Sequence, residues 1–309
     1  MEKITIVISS FNQEKYIPDL IESLKNQTFQ NFKVLIIDSF STDNTVNIFK
    51  NYDKAEIINL KCSAEEGYLH GINLVRSKYL MVMTTSDYYY SNSWLQTAYD
   101  TLEENIDLSL VWCNAISVND KRMFKGIWRP ELFLTDSPKK FDYLYYWFCD
   151  NYLPELNYCV NTKVYQYCIK DFEKIKVNLN ISFMWLFLFN FTKYGFLQKY
   201  IKHLGHAGRS HDNSQGEKNE SNTTHEKWDI SYRKLQLKYF KDLILKKEIH
   251  NFRNSKFEII KNLSNMDLFF FPFKIIMMKF RQSKYYVIRV FLFKIYIKKL
   301  IHFNKFFNV

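Results

Sequence analysis

An α/β fold, with a mostly parallel sheet flanked by helices on both faces, is the class this sequence predicts. Three observations lead there. Short β-branched apolar runs alternate with segments whose apolar residues recur at helical spacing. The apolar runs stop at small polar residues or a carboxylate. The chain is 47% hydrophobic over 309 residues, enough apolar material for a sizeable core.

Taken in order, Ile4–Ser9 reads as a buried strand, β-branched and apolar. Ile17, Leu20, Ile21 and Leu24 mark a helix over Tyr16–Asn26. Phe32–Asp38 is a second strand. Thr42-Asp43-Asn44-Thr45 supplies N-cap residue types for a helix that runs to about Tyr52. Ala55–Asn59 is a short third strand, Gly67–Val75 a helix and Tyr79–Thr84 a fourth strand. Ser91 or Ser93 caps a helix over Ser93–Glu103, and Leu108–Val118 is a fifth strand. Repeated βα units of this kind imply a sheet with helices on both faces.

The rest of the chain is less regular. From about Asp120 to Ile201 it is very aromatic. Phe141–Phe148 reads as a core helix or packed loop, the alternative being an aromatic platform for a sugar or lipid acceptor. Val177–Thr192 is the longest uncharged run; it is shorter than the roughly 20 residues that span a bilayer and reads as a buried helix. Gly208–Thr224 is polar and loop-like, the pattern of a lid. Trp228–Leu263 reads as charged helix. After Asp267 no acidic residue occurs, and Lys and Arg interrupt Phe, Ile, Tyr and Leu. From Lys284 onward most basic residues share one arc of a helix, an imperfect amphipathic pattern suited to an anionic membrane surface or to a solvated helix on its own domain. The chain thus divides at 1–120, 121–228 and 229–309.

Charge and cysteines narrow the function classes. The net charge of +11 points to polyanionic partners. No DNA or RNA motif accompanies it, so a nucleic-acid binder rests on charge alone and no nucleic-acid partner is expected. Only seven glycines argue against a Gly-rich phosphate loop. The five cysteines, Cys62, Cys113, Cys149, Cys159 and Cys168, are odd in number and lack CxxC spacing. They read as free thiols in a reducing cytosol, without a zinc site. No basic segment precedes an apolar stretch at the N-terminus, so no signal peptide is expected. The most informative residues are Thr84-Thr85-Ser86-Asp87, directly after the fourth apolar run. Ligands of open α/β sheets bind at strand carboxyl ends. A lone Asp there is placed to hold a metal ion against a diphosphate.

Four stretches then appear in order, separated by βα-unit spacing. They are Ile6–Asn12 with Tyr16-Ile17, Gln27-Thr28-Phe29 with Phe32, Ile36–Thr45, and Tyr79–Asp87. Together they resemble the family 2 glycosyltransferases of the GT-A fold, inverting nucleotide-sugar enzymes of bacterial surface polysaccharide assembly. The likeness is clear over about residues 3–100, with an echo at Arg209-Ser210-His211. It implies a Rossmann-like GT-A domain, nucleotide-binding in residues 1–120 and acceptor-binding in 121–228, plus a helical basic-aromatic extension. It implies a UDP-, GDP- or dTDP-linked donor, a glycan or lipid-linked acceptor, and Mg2+ or Mn2+. The location implied is the cytoplasm, peripheral to the inner face of the cell membrane through the tail.

Residue by residue, the resemblance makes Asp87 the metal ligand, with Thr85 in place of the motif's first acid. Asp38 accepts from base or ribose, and Ser9 and Phe11 line the base pocket, Phe11 by stacking. Ser39 replaces a frequent second acid and Phe40 the usual glycine. His70 lies near the expected diphosphate contacts, and Arg209 and His211 belong to a loop that closes over the diphosphate. An inverting transfer also needs a base for the acceptor hydroxyl. The family places an acid about ten residues before a Lys-Tyr-Gly-like end; here Lys193-Tyr194-Gly195 is present, but Ser182–Leu186 holds no acid. Asp171, Glu173, His211 and Asp212 are nearby but do not match the motif, so the base is unassigned. The alternative is a GT-A-like scaffold or membrane-surface binder that has lost catalysis.

Overall fold

The structure is a computed structural model that describes residues 2–128, 139–140, 156–176, 182–194 and 196–211. The aromatic stretch Phe141–Phe148, Cys149, the loop beyond His211, the charged segment and the basic tail lie outside the described residues.

One ten-stranded sheet organises these residues. Its first half follows the sequence pattern closely: β1 (Ile4–Ser10), α1 (Ile17–Lys25), β2 (Phe32–Asp38), α2 (Thr45–Lys50), β3 (Ala55–Asn59), α3 (Ala64–Leu74) and β4 (Tyr79–Val82). β1 lies between β2 and β4, parallel to both, with Ile4 opposite Phe32 and Ser10 opposite Asp38. Then come β5 (Tyr88–Tyr89), α4 (Trp94–Glu104), β6 (Leu108–Val118), β7 (Phe124–Trp128), β8 (Lys139–Lys140) and β9 (Tyr158–Asn161). Helices α5 (Thr162–Ile169), α6 (Phe172–Lys176) and α7 (Phe183–Lys193) precede β10 (Leu197–Arg209). The strand order is β3-β2-β1-β4-β9-β6-β10-β5, with β7 on β6 and β8 on β10.

The sheet is mixed, because β9 enters antiparallel between β4 and β6. The halves drawn at residue 120 share this one sheet. Two further expectations are corrected. Arg209 is not in a loop, since β10 runs unbroken to it beside parallel β6. Helix α3 begins three residues before Gly67, because Ser63 and Glu66 form a reciprocal capping box: Ser63 Oγ accepts from Glu66 N and Glu66 Oε2 accepts from Ser63 N.

Side chains alternate across the strands. Ile4, Ile6 and Ile8 join Val34 and Ile36 in a core under α1, α2 and α4. Val7, Leu35 and Ile37 face the other way, into a core with α3, α5 and α7. The uncharged run does form a buried helix, α7, whose Leu186 and Phe187 are fully buried. Gly71 lets α3 sit close to β1, as a Cβ there would come within 2.6 Å of Val7 Cγ1.

Candidate functional site

The carboxyl ends of β1, β2 and β4 open onto one cleft of about 650 Å3. Ser9, Ser10, Phe11 and Gln13 come from the end of β1, and Ser39 from the end of β2. Cys62, Ser63, Ala64 and Tyr68 come from the entry and first turns of α3, and Thr84-Thr85-Ser86-Asp87 from beyond β4. Arg209 and His211 complete the wall from the far end of β10. Seven of the eight residues nominated from sequence therefore meet in one place. Hydroxyls dominate the lining, a surface suited to a phosphorylated, polyhydroxylated ligand.

Asp87 is buried, and β10 claims both of its oxygens. Oδ1 accepts a hydrogen bond from Arg209 N at 2.9 Å, and Oδ2 lies 3.1 Å from His206 Nε2. Each oxygen keeps a further lone pair. His206 was not singled out by sequence; only the path of β10 brings it here.

The Arg209 side chain is 3% exposed, with Nη2 bonded to Asp19 Oδ2 of α1 at 2.5 Å. Its guanidinium also lies over the rings of Tyr16 at 5.1 Å and Tyr88 at 5.6 Å. Arg122 Nη1 approaches the other Asp19 oxygen at 3.1 Å. His211 packs against Tyr16 with ring centroids 4.8 Å apart, and burial lowers its pKa, which favours the neutral ring. Tyr16 in turn donates to Asp120, which also holds Lys15. One network thus ties α1, the end of β6 and the end of β10 together across one wall of the cleft.

Asp38 is the one of the eight nominated residues that stands apart from the others. It is fully buried and is not part of the cleft lining. Its oxygens accept from Ser41 N at 2.8 Å and Ser41 Oγ at 2.6 Å. That bonding braces the turn after β2, where Phe40 takes φ 57° in the left-handed region that glycine usually fills. Asn12 Oδ1 accepts from Thr42 N, which ties the same turn to the end of β1. Ser39 Oγ donates to Cys62 O and so fixes the loop before α3. Phe11 is 55% exposed at the mouth, its ring accessible for stacking. His70 is exposed on α3, outside the lining.

Cys62 borders the cleft as a free thiol whose pKa burial pushes up, so it stays protonated. Cys113, Cys159 and Cys168 are also free and buried. Tyr68 donates from its hydroxyl to Met83 O, and burial keeps that hydroxyl protonated. Among the described residues no group of three or more His, Cys, Asp or Glu side chains is arranged to hold a metal.

Known proteins share this architecture. The crystal structure of Staphylococcus aureus TarS, residues 1–349, superposes with a TM-score of 0.55 at 17% identity, over 68% of this chain and 60% of that one. Its complex with UDP-GlcNAc matches with a TM-score of 0.55 at 16% identity, over 69% of this chain and 60% of that one. By sequence, a poly(ribitol-phosphate) beta-glucosyltransferase of Bacillus spizizenii is 27% identical over 146 residues, 44% of this chain and 23% of the relative. A teichoic acid poly(glycerol phosphate) polymerase of Staphylococcus epidermidis is 32% identical over 95 residues, 28% of this chain and 13% of that protein. The matched stretches are thus less than a quarter of the length of these two relatives. The profile described as glycosyl transferase family 2 matches residues 5–196, which is more than half of the chain and takes in the ends of β1, β2 and β4 at the cleft. On that match, this chain belongs to glycosyl transferase family 2.

Proposed function

We propose that this protein transfers a sugar from a nucleoside-diphosphate donor to a bacterial cell-surface glycan or lipid-linked acceptor, with inversion at the anomeric carbon. The observation that carries the reading is the single cleft at the ends of β1, β2 and β4, where β10 adds Arg209 and His211 beside Asp87. The TarS structures with UDP-GlcNAc and with UDP support a nucleotide-sugar donor in a fold of this kind. Several relatives are named for transfer onto poly(ribitol-phosphate), which supports a surface-polymer acceptor.

The chemistry fits the residues. The leaving diphosphate gains negative charge as the sugar departs, and fixed positive groups stabilise it. Arg209 brings a cation into the lining, and its charge is partly balanced by Asp19. His211 offers a neutral ring beside it. Phe11 stacks on the base.

A divalent ion belongs to the proposal. Asp87 supplies one carboxylate with spare lone pairs, and the hydroxyls of Thr84, Thr85 and Ser86 stand beside it in the lining. Magnesium keeps several waters and is commonly bound by one or two carboxylates plus substrate phosphates. The donor set therefore fits an ion held chiefly by the donor itself, and when bound it would add positive charge at the diphosphate.

The test is a thermal-shift panel of UDP-glucose, UDP-N-acetylglucosamine, GDP-mannose and dTDP-glucose with manganese. Ligand at about 100 times its Kd adds about 2.7 kcal/mol of stability. A raised melting temperature with one donor and not the others is expected; no shift with any would end the proposal. The absence of an acid at Ser182–Leu186 favours a second reading, a scaffold that binds donor without turning it over. Binding without release of the nucleotide would establish it.

Membrane contact through the tail after Asp267 is also proposed, and its support is the charge pattern alone. Among the described residues no helix is long and apolar enough to cross a membrane. Sedimentation of the full chain with anionic but not neutral vesicles is expected; equal recovery with both would refute the contact.

A further inference from the structure

The hairpin that joins β6 to β7 stands beside the cleft. Its loop, Asn119–Met123, connects Val118 to its strand partner Phe124. Asn119 braces the tip. Its Oδ1 accepts from Lys121 N at 3.0 Å and from Met123 N at 2.9 Å, and its own N donates to Met123 O at 2.9 Å. Arg122 takes φ 62° and donates from its N to Asn119 O. Side chains of the hairpin fasten it to the cleft wall. Asp120 bonds Lys15 and Tyr16, and the Tyr16 ring packs on His211. Arg122 shares Asp19 with Arg209. Lys125 Nζ donates to Ser210 Oγ at 3.0 Å, and Ser210 lies in sequence between the cleft-lining Arg209 and His211.

The outward surface of the hairpin mixes cations with apolar side chains. Lys121, Arg122, Met123, Phe124 and Lys125 are all exposed, Met123 by 58% and Phe124 by 62%. The acid of the tip, Asp120, is already paired with Lys15. Lys121 has no acid partner among the described residues. Apolar side chains flanked by cations suit a surface that is anionic at the headgroups and apolar beneath them. A soluble polyol-phosphate polymer would answer the cations and offer Phe124 nothing. Met123 and Phe124 therefore favour a lipid as the source of the phosphate.

We infer that the β6–β7 hairpin is a contact site for an anionic lipid surface. Met123 and Phe124 enter below the headgroups, and Lys121, Arg122 and Lys125 lie at the phosphates. The site is distinct from the tail after Asp267. It deepens the lipid-linked reading of the acceptor and rests on that reading for its purpose, because a hairpin tied to the cleft wall sets the cleft beside the membrane that carries such an acceptor. Its test needs neither donor nor acceptor.

The experiment measures partition of the full chain onto vesicles of phosphatidylcholine, with and without phosphatidylglycerol. Wild type is compared with M123S/F124S, K121E and I106S, all of which replace exposed side chains. Ile106 is the control. It is 95% exposed and precedes β6, whereas the hairpin follows it. The 11 residues of that strand put about 35 Å between them. On anionic vesicles M123S/F124S is expected to partition about tenfold more weakly than wild type, K121E about fivefold more weakly, and I106S like wild type. Hairpin variants that partition like wild type, or an equal loss in I106S, overturn the site and leave the tail contact standing. A wild-type chain that stays off anionic vesicles overturns both. Soluble poly(glycerol phosphate) is the second probe. Binding of that polymer that weakens in K121E, with M123S/F124S still partitioning onto vesicles like wild type, would make the hairpin a polymer site and overturn the lipid assignment. Donor binding is expected to be unchanged in all three variants, so failure of the hairpin contact is told apart from failure of the transferase reading.

Discussion

Asp87 shows how much one side chain carries at this site. Its two oxygens join the loop after β4 to β10 and in doing so fix the position of Arg209. Truncation leaves a buried N–H and a buried imidazole without their acceptor. Each such loss costs about 1–3 kcal/mol. Asp87→Ala is therefore expected to lower the urea midpoint without changing the slope, and to remove nucleotide binding along with it. A midpoint equal to that of wild type would show that the carboxylate holds nothing together. Asp87→Asn is expected to be milder in stability, since an amide oxygen still accepts from Arg209 N, and equally damaging to metal-assisted binding. The same residue marks a boundary of what sequence conveys. Its place after an apolar strand announces a ligand site, and the structure puts it in the lining of the cleft. Nothing in the string distinguishes it from Asp38, which also ends a strand and turns its oxygens inward to Ser41.

Among the elements, α3 deserves the closest comparison with the sheet it covers. Gly71 permits its approach to β1, and a Cβ at that position would meet Val7 at 2.6 Å and Ile37 at 3.2 Å. Val7 is β-branched and has little rotamer freedom to yield. Gly71→Ala gains about 1 kcal/mol of helix propensity and loses about 1–3 kcal/mol to overpacking. A net loss of up to about 2 kcal/mol follows from those two figures. Chemical denaturation checks it, and a stabilised variant would show that α3 rides higher on the sheet. Strands β1, β2 and β6 were legible because a buried strand is a largely apolar run between polar breaks. The start of α3 was also written in the sequence, as Ser63 and Glu66 three residues apart, but the glycine that follows masked it. Strand β10 was not legible. Irregularities at Leu197/Gln198, Ile201/Leu204 and Leu204/His206 interrupt its pairing with β6, so its side chains do not keep a period of two. Its end, Gly208-Arg209-Ser210, carries turn residue types.

At the scale of the whole molecule, stability should depend on pH in two steps. Burial lowers the pKa of His203, whose ring stacks on Trp94 at 5.8 Å, and of His211. In the unfolded chain both titrate near 6.5. Below that value the unfolded state binds more protons, so this share of stability is complete above about pH 6.5 and is lost as pH falls. Glu103 is held below the usual carboxylate range by Lys78, and Asp120 by Lys15. Their share persists until the pH falls below about 4. The melting temperature is expected to be level from pH 8 to 7, to fall first below about 6.5 and again below about 4. His203→Phe retains the stack on Trp94 and should flatten the upper step; an unchanged profile would assign that step to other groups.

The reach of Asp87 across 119 and 122 residues also has a consequence for biosynthesis. A ribosome releases β1, α3 and β4 long before it releases His206 and Arg209. Until then the nascent polypeptide has the floor of the cleft and lacks one wall. Stalled translation products ending at residue 196, where the family match stops, should not be retained on immobilised UDP, whereas products extended past residue 211 should. Retention of the shorter product would mean that β10 is dispensable for nucleotide capture.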